Sequence, residues 1–147
     1  MSSKKLLPTR IIVMVILALL VFQFELGMAV NVAKHPSLSP FAFSLGRVSD
    51  ALNQVGVVAV IHASLGVWLV LVSLASIILA LRSGIRTVQV FGSLALVATL
   101  LAATTGLLYT LSGFQNDGFS EGMASNFLLS FTFNFLELYF LKPAPNT

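Results

Sequence analysis

The sequence contains no cysteine. Disulfides, thiolate metal centres and thiol redox chemistry are thereby excluded, and any loop outside the core is held by packing alone. Charge is nearly as scarce, at 9% of residues against about a quarter in soluble domains. Eight basic residues spread over 147 positions are too few and too scattered for a nucleic-acid surface. There is also no Gly-rich phosphate loop, no cluster of metal ligands and no Ser/His/Asp spacing on a polar scaffold, so nucleotide and hydrolase chemistry find no support. No internal repeat or heptad array is visible.

What remains is apolar. Hydrophobic residues make up 57% of the chain, and the mean hydropathy is +0.98. Four runs stand out, at about 11–33, 55–81, 88–111 and 123–141. Each approaches or exceeds the ~20 residues that cross ~30 Å of hydrocarbon as a helix. The reading is an all-α, four-helix transmembrane bundle forming a single integral membrane domain over residues 1–147. A secretory leader ending near Gly27-Met28-Ala29 is the competing reading of the N-terminus, but the first run stays apolar past that point to Ala33.

The placement of basic residues sets the expected topology. Lys4, Lys5, Arg10, Arg82, Arg86 and Lys142 fall on one side of the four runs, and only Lys34 and Arg47 on the other. The positive-inside bias then puts both termini in the cytoplasm, and the chain is read as a multi-pass protein of a prokaryotic cell membrane. The outer connection after the first run contains Phe41, Phe43, Leu45, Val48 and Leu52, spaced for a short interfacial helix. RSGIRT (82–87) reads as a tight inner turn stopped at Gly84, and SGFQNDGFSEG (112–122) as an outer turn in which Ser120 caps the last helix.

Helical wheels separate polar from greasy faces. In the second run Ala59, His62, Gly66, Ser73, Ser76 and Ala80 share an arc, whereas Trp68, Leu71, Leu74 and Ile78 lie elsewhere. In the third, Gly92, Ala95, Thr99, Ala102, Ala103, Gly106 and Thr110 form a small-residue seat for the His62 helix. In the fourth, Asn126, Ser130, Asn134 and Glu137 share an arc as interhelical hydrogen-bond glue, with Glu137 close enough to the inner end to meet Arg82, Arg86 or Lys142 as an anchor. The first run has two such sides. Met14, Ala18, Val21, Glu25, Ala29 and Val32 share one, and Gln23, Gly27 and Asn31 share nearly the opposite one. The expectation is that Glu25 turns inward and that the Gln23/Gly27/Asn31 stripe faces another subunit.

At about 1.5 Å per residue, Glu25, His62, Thr104 or Thr105, and Ser130 all fall roughly 10 to 15 Å inside the outer ends of their helices. They form a candidate polar layer. A lone ionised group at such depth costs ~3 kcal/mol on insertion scales, so a Glu25–His62 hydrogen bond is the economical arrangement. Intramembrane ionisable groups lean functional; the same pair could equally lock the bundle.

The run IHASLGVWLVLVSLA, followed after a basic turn by a span ending TTGLLY, resembles a helix pair of the haem A synthase and cytochrome b561 type. The resemblance covers about a third of the chain and implies haem b held by His62, with His35, Met28 or Met123 as the second ligand or a five-coordinate iron. The fourth run departs from the pattern because it has no histidine. A quinone or lipid beside His62 is an alternative occupant, and a proton-coupled transporter built as an oligomer is another. With no self-sufficient catalytic set, the main expectation is a small integral subunit of a larger membrane complex, of an electron-transfer or energy-converting kind. Its partners would be the lipid bilayer and other membrane subunits or further copies of itself, with no nucleic acid.

Overall fold

Lipid cannot satisfy backbone N–H and C=O groups, so runs of this composition close their hydrogen bonds within the segment, as helices. A computed structural model of the chain describes residues 3–33 and 45–141. The described residues form five helices: α1 (Ser3–Val32), α2 (Leu45–Val55), α3 (Val57–Arg82), α4 (Arg86–Leu111) and α5 (Asp117–Phe140). His35, Lys34, Phe41, Phe43, Lys142 and the tail that follows it lie outside the described residues, as does the side chain of Arg47.

Three helices, rather than the four expected, are long and apolar enough to cross a membrane: Leu6–Val32 of α1, α3 and α4, with mean hydropathies of 2.5, 2.5 and 1.9. Helix α5 has 24 residues, but Asn126, Ser130, Asn134 and Glu137 hold down its hydropathy. The four long helices nonetheless pack in a ring, α1 against α3, α3 against α4, α4 against α5 and α5 against α1.

Their directions alternate, as three core layers make plain. At one end Leu6 and Val13 of α1 meet Ala80, Val88 and Leu141. In the middle Ile16, Leu20 and Leu69 meet Phe127 and Phe131. At the other end Val30, Ala51, Ala59, Tyr109 and Phe114 come together. The first layer lies at the end of the α3–α4 turn (the turn end) and the third beneath α2 (the α2 end).

Helix α1 runs from Ser3 with Pro8 inside it, and one helix boundary departs from the sequence reading. Helix α5 begins at Asp117, six residues before the apolar run, because Asn116 Oδ1 accepts from Gly118 N at 3.1 Å and caps the polar first turn in place of Ser120. The α3–α4 turn uses Gly84 at φ +69°, with Ile85 N donating to Ser83 Oγ at 3.1 Å. Helix α2 is amphipathic: Ala51 is buried in the end layer with Leu52 and Val55 packed beside it, and Ser49, Asp50, Asn53 and Gln54 are exposed. It is joined to α3 through Gly56, whose φ of +111° lets the chain turn from the bundle cap into the long helix.

Candidate functional site

The site begins with the rotation of α1, which is opposite to the expected one. Met14, Ala18, Val21, Glu25, Ala29 and Val32 all lie exposed on the outside of the ring. Gln23 and Gly27 face inward, whereas Asn31 is exposed at the α2 end and bonded within the chain to Tyr109 and Ser120. Gln23 Nε2 donates to the His62 carbonyl at 3.1 Å and approaches His62 Nε2 at 3.4 Å. His62 Nδ1 and Gln23 Oε1 are buried without partners of their own. Two glycines permit this closeness. A Cβ at Gly27 would lie 3.1 Å from His62 Cε1, and one at Gly66 would lie 3.3 Å from Gln23 Nε2. The reason for the rotation is steric as much as polar: the stripe with glycine at its centre lets α3 approach, whereas the Glu25 stripe carries Met14, Val21 and Val32.

Behind that interlock, the four long helices leave a cavity of about 490 Å³ at the α2 end. Its walls are mostly apolar, including Leu20, Phe24, Leu69 and Phe127, and Val48 and Leu52 of α2 reach its rim. Ala102, Ala103 and Gly106 of α4 line the space. Gly106 packs against α5, where an added Cβ would lie 3.1 Å from Met123 Sδ. A few polar groups punctuate the wall: Gln23 and His62 on one side, Thr99 and Ser130 on another, and Asn31, Tyr109 and Ser120 at the mouth. Tyr109 OH donates to Asn31 Oδ1 at 3.2 Å, and Asn31 Nδ2 donates to Ser120 Oγ at 3.2 Å, tying α4, α1 and α5 together.

Several residues of the expected layer do not join it. Glu25 is exposed on the outer face and makes no hydrogen bond to His62 or to any other described residue. Thr104 is exposed and its hydroxyl donates to its own helix, to Leu100 O at 2.9 Å. Thr105 does the same toward Leu101 O at 2.8 Å. Asn126 bonds back to Gly122 O at 2.8 Å and bridges no helices. Met28 lines the cavity edge but is 49% exposed. The proposed second haem ligand His35 falls outside the described residues, and no group of three or more His, Cys, Asp or Glu side chains able to hold a metal occurs among the described ones.

A second polar cluster runs down α5 toward the turn end. Thr99 Oγ1 and Ser130 Oγ are 2.8 Å apart, and Asn134 Nδ2 donates to Ser130 O at 2.8 Å. One turn further, Glu137 is 1% exposed, and neither carboxyl oxygen has a hydrogen-bond partner. The expectation of an anchor reaching Arg82, Arg86 or Lys142 is therefore corrected: the side chain turns into the bundle, against Gly92, where an added Cβ would lie 3.3 Å from both carboxyl oxygens. Ser73 and Ser76 of α3 are likewise buried, and their hydroxyls lack partners. The sequence held a signal for this. Glu137 shares an arc with Ser130 and Asn134, so burying those two carries it inside as well.

Comparison of the chain with protein-family models, with curated proteins and with solved structures gives no match.

Proposed function

We propose that the protein is a small integral membrane subunit that holds a lipophilic ligand with a hydrogen-bonding head, of the quinone class, in the cavity at its α2 end. The observation carrying this reading is the cavity of about 490 Å³ with apolar walls and a fixed imidazole–amide pair, His62 and Gln23, on one side. Pockets for small ligands have this size and this balance of many apolar contacts and few polar ones. A quinone carbonyl accepts a hydrogen bond and its reduced form donates one, and an imidazole can meet both needs. Haem needs iron ligation, and His62 is the sole imidazole lining the cavity among the described residues.

Two features support a membrane setting for all four long helices. The outward side of α5 carries Leu128, Leu129, Phe135 and Tyr139, each 47% to 60% exposed, which suits lipid contact and supports α5 as a fourth span. Arg10, Arg82 and Arg86 lie toward the turn end, which by the positive-inside bias favours a cytoplasmic turn end, with both termini on that side and the cavity in the outer half. Membership of a larger assembly rests on Glu25, seven residues from the end of α1 and thus about 10 Å inside it. A carboxylate facing lipid is costly, by up to ~3 kcal/mol at a helix centre, and a neighbouring chain offering a donor or a cation removes that cost.

The test is organic extraction and mass spectrometry of protein purified in mild detergent, alongside Ala63→Phe, which places a ring inside the cavity. The reading expects about one quinone per chain, lost in the variant while helicity is kept. A chain that carries none and does not take up added decylubiquinone refutes it. A Soret band in the dithionite difference spectrum that vanishes in His62→Ala replaces quinone by haem.

A further inference from the structure

The cavity reading leaves Glu137 unused, and its surroundings are unusual for a carboxyl group. It is 1% exposed. Neither oxygen accepts a hydrogen bond, and Ser73 and Ser76, the buried hydroxyls of α3, are also unpartnered. Besides Lys4 and Lys5 at the start of α1, whose side chains lie outside the described ones, the charged groups on the other long helices are Arg10 and Glu25 of α1, Arg82 of α3 and Arg86 of α4. Arg82 and Arg86 are exposed, Glu25 faces outward, and none of the four forms an ion pair with Glu137. The other acids of α5, Asp117 and Glu121, sit at the opposite end of the helix.

Toward the turn end, the space beyond Glu137 is closed by Ala80, Val88 and Leu141, all fully buried. In the other direction lie Asn134, Ser130 and Thr99, and the last two line the cavity. The carboxyl group thus has buried apolar residues toward the nearer end and, one helical turn away in the other direction, the polar groups that reach the cavity, with no hydrogen bond joining it to them. An ionised carboxylate with neither cation nor donor is strongly disfavoured inside such a bundle, and a proton is the smallest partner that neutralises it.

We propose that Glu137 is a reversible proton-binding site in the interior of the bundle, reached from the cavity side along Thr99, Ser130 and Asn134. The inference stands independently of which molecule fills the cavity. It concerns a different residue from the Glu25–His62 pair expected from the sequence, and it gives the chain a group able to take up or release a proton within the membrane.

Dicyclohexylcarbodiimide, an apolar reagent, reports such a group directly. The carboxyl O–H adds across one C=N bond, the oxygen going to carbon and the proton to nitrogen. The acyl group then shifts to nitrogen as an N-acylurea, and the protein gains the whole mass of the reagent with no leaving group. The experiment treats the full chain in detergent or liposomes and maps the adduct by peptide mass spectrometry. The expected result is an adduct on Glu137 that forms more slowly as the pH is raised and is absent in Glu137→Gln. A water-soluble carbodiimide should leave Glu137 unmodified. Mapping on the unsubstituted protein keeps the test valid if the variant does not fold. The proposal is overturned by no adduct at Glu137, by a rate independent of pH, or by protection with sodium over choline, which would make the occupant a metal cation.

Discussion

Replacing Gln23 by alanine tests the rotation of α1 through its energetic consequence. The side chain spans α1 and α3 with one ordinary hydrogen bond, 3.1 Å to the His62 carbonyl, and one at the limit of bonding distance, 3.4 Å to His62 Nε2. Interhelical hydrogen bonds in membrane bundles average ~0.6 kcal/mol, so the pair together contributes ~1 kcal/mol, the longer one counting for less. Gln23→Ala should therefore lower the folded-to-unfolded ratio about fivefold. Glu25→Ala, two positions along the same helix, removes an exposed side chain without a described partner and should stay within ~0.5 kcal/mol in isolated protein. Unfolding by dodecyl sulfate in mixed micelles, followed by circular dichroism, measures both. A double-mutant cycle of Gln23→Ala with His62→Ala isolates the 3.4 Å side-chain contact, because the His62 carbonyl is kept, and should show a coupling smaller than the loss in Gln23→Ala alone. Refutation would be the reverse order: Gln23→Ala indistinguishable from wild type while Glu25→Ala costs ~1 kcal/mol or more.

Glycines on α4 should differ in their tolerance. Gly92→Ala places a methyl group 3.1 Å from Ala80 Cβ and 3.3 Å from both Glu137 oxygens, so backbone must move and the cost should reach ~1–3 kcal/mol. Gly106→Ala meets only the flexible Met123 sulfur at 3.1 Å and should cost less than ~1 kcal/mol in the same micelle unfolding assay. Thr99→Val keeps the shape of the side chain and loses the 2.8 Å contact with Ser130, for a loss of ~0.6 kcal/mol with helicity unchanged. Asn116→Ala removes the cap of α5 and should fray its first turn at a cost of ~1 kcal/mol, visible as faster amide exchange at Gly118 and Phe119.

The membrane helices were legible because apolar runs of this length leave the backbone no alternative to helix. Their polar extensions were not: α5 starts on Asp117-Gly118 because one amide side chain caps it, and hydropathy carries no trace of that bond. Wheel positions on α3 separated His62, Ser73 and Ser76 from Trp68, Leu71 and Ile78, and burial divides them in the same way. On α1 the wheel found both stripes but weighted charge above shape, so Glu25 was turned inward and Gln23 outward. Which stripe faces the bundle depends on how closely two backbones can approach, and that is decided jointly by Gly27 and Gly66, a long-range pairing that one helix does not contain. Glu137 was misplaced for a related reason. Nearness to a helix end suggested snorkelling, whereas the helix face, set by Ser130 and Asn134, determined where the side chain points.

The orientation of α1 is the claim on which the cavity, the His62–Gln23 pair and the outward Glu25 all depend. A nitroxide scan settles it, using single cysteines introduced along α1 in this cysteine-free chain and reading collision with dissolved oxygen by electron paramagnetic resonance in liposomes. The account expects high oxygen access at positions 14, 18, 21 and 25 and low access at 13, 16, 20, 23 and 27. High access at 23 and 27 with protection at 25 would contradict it.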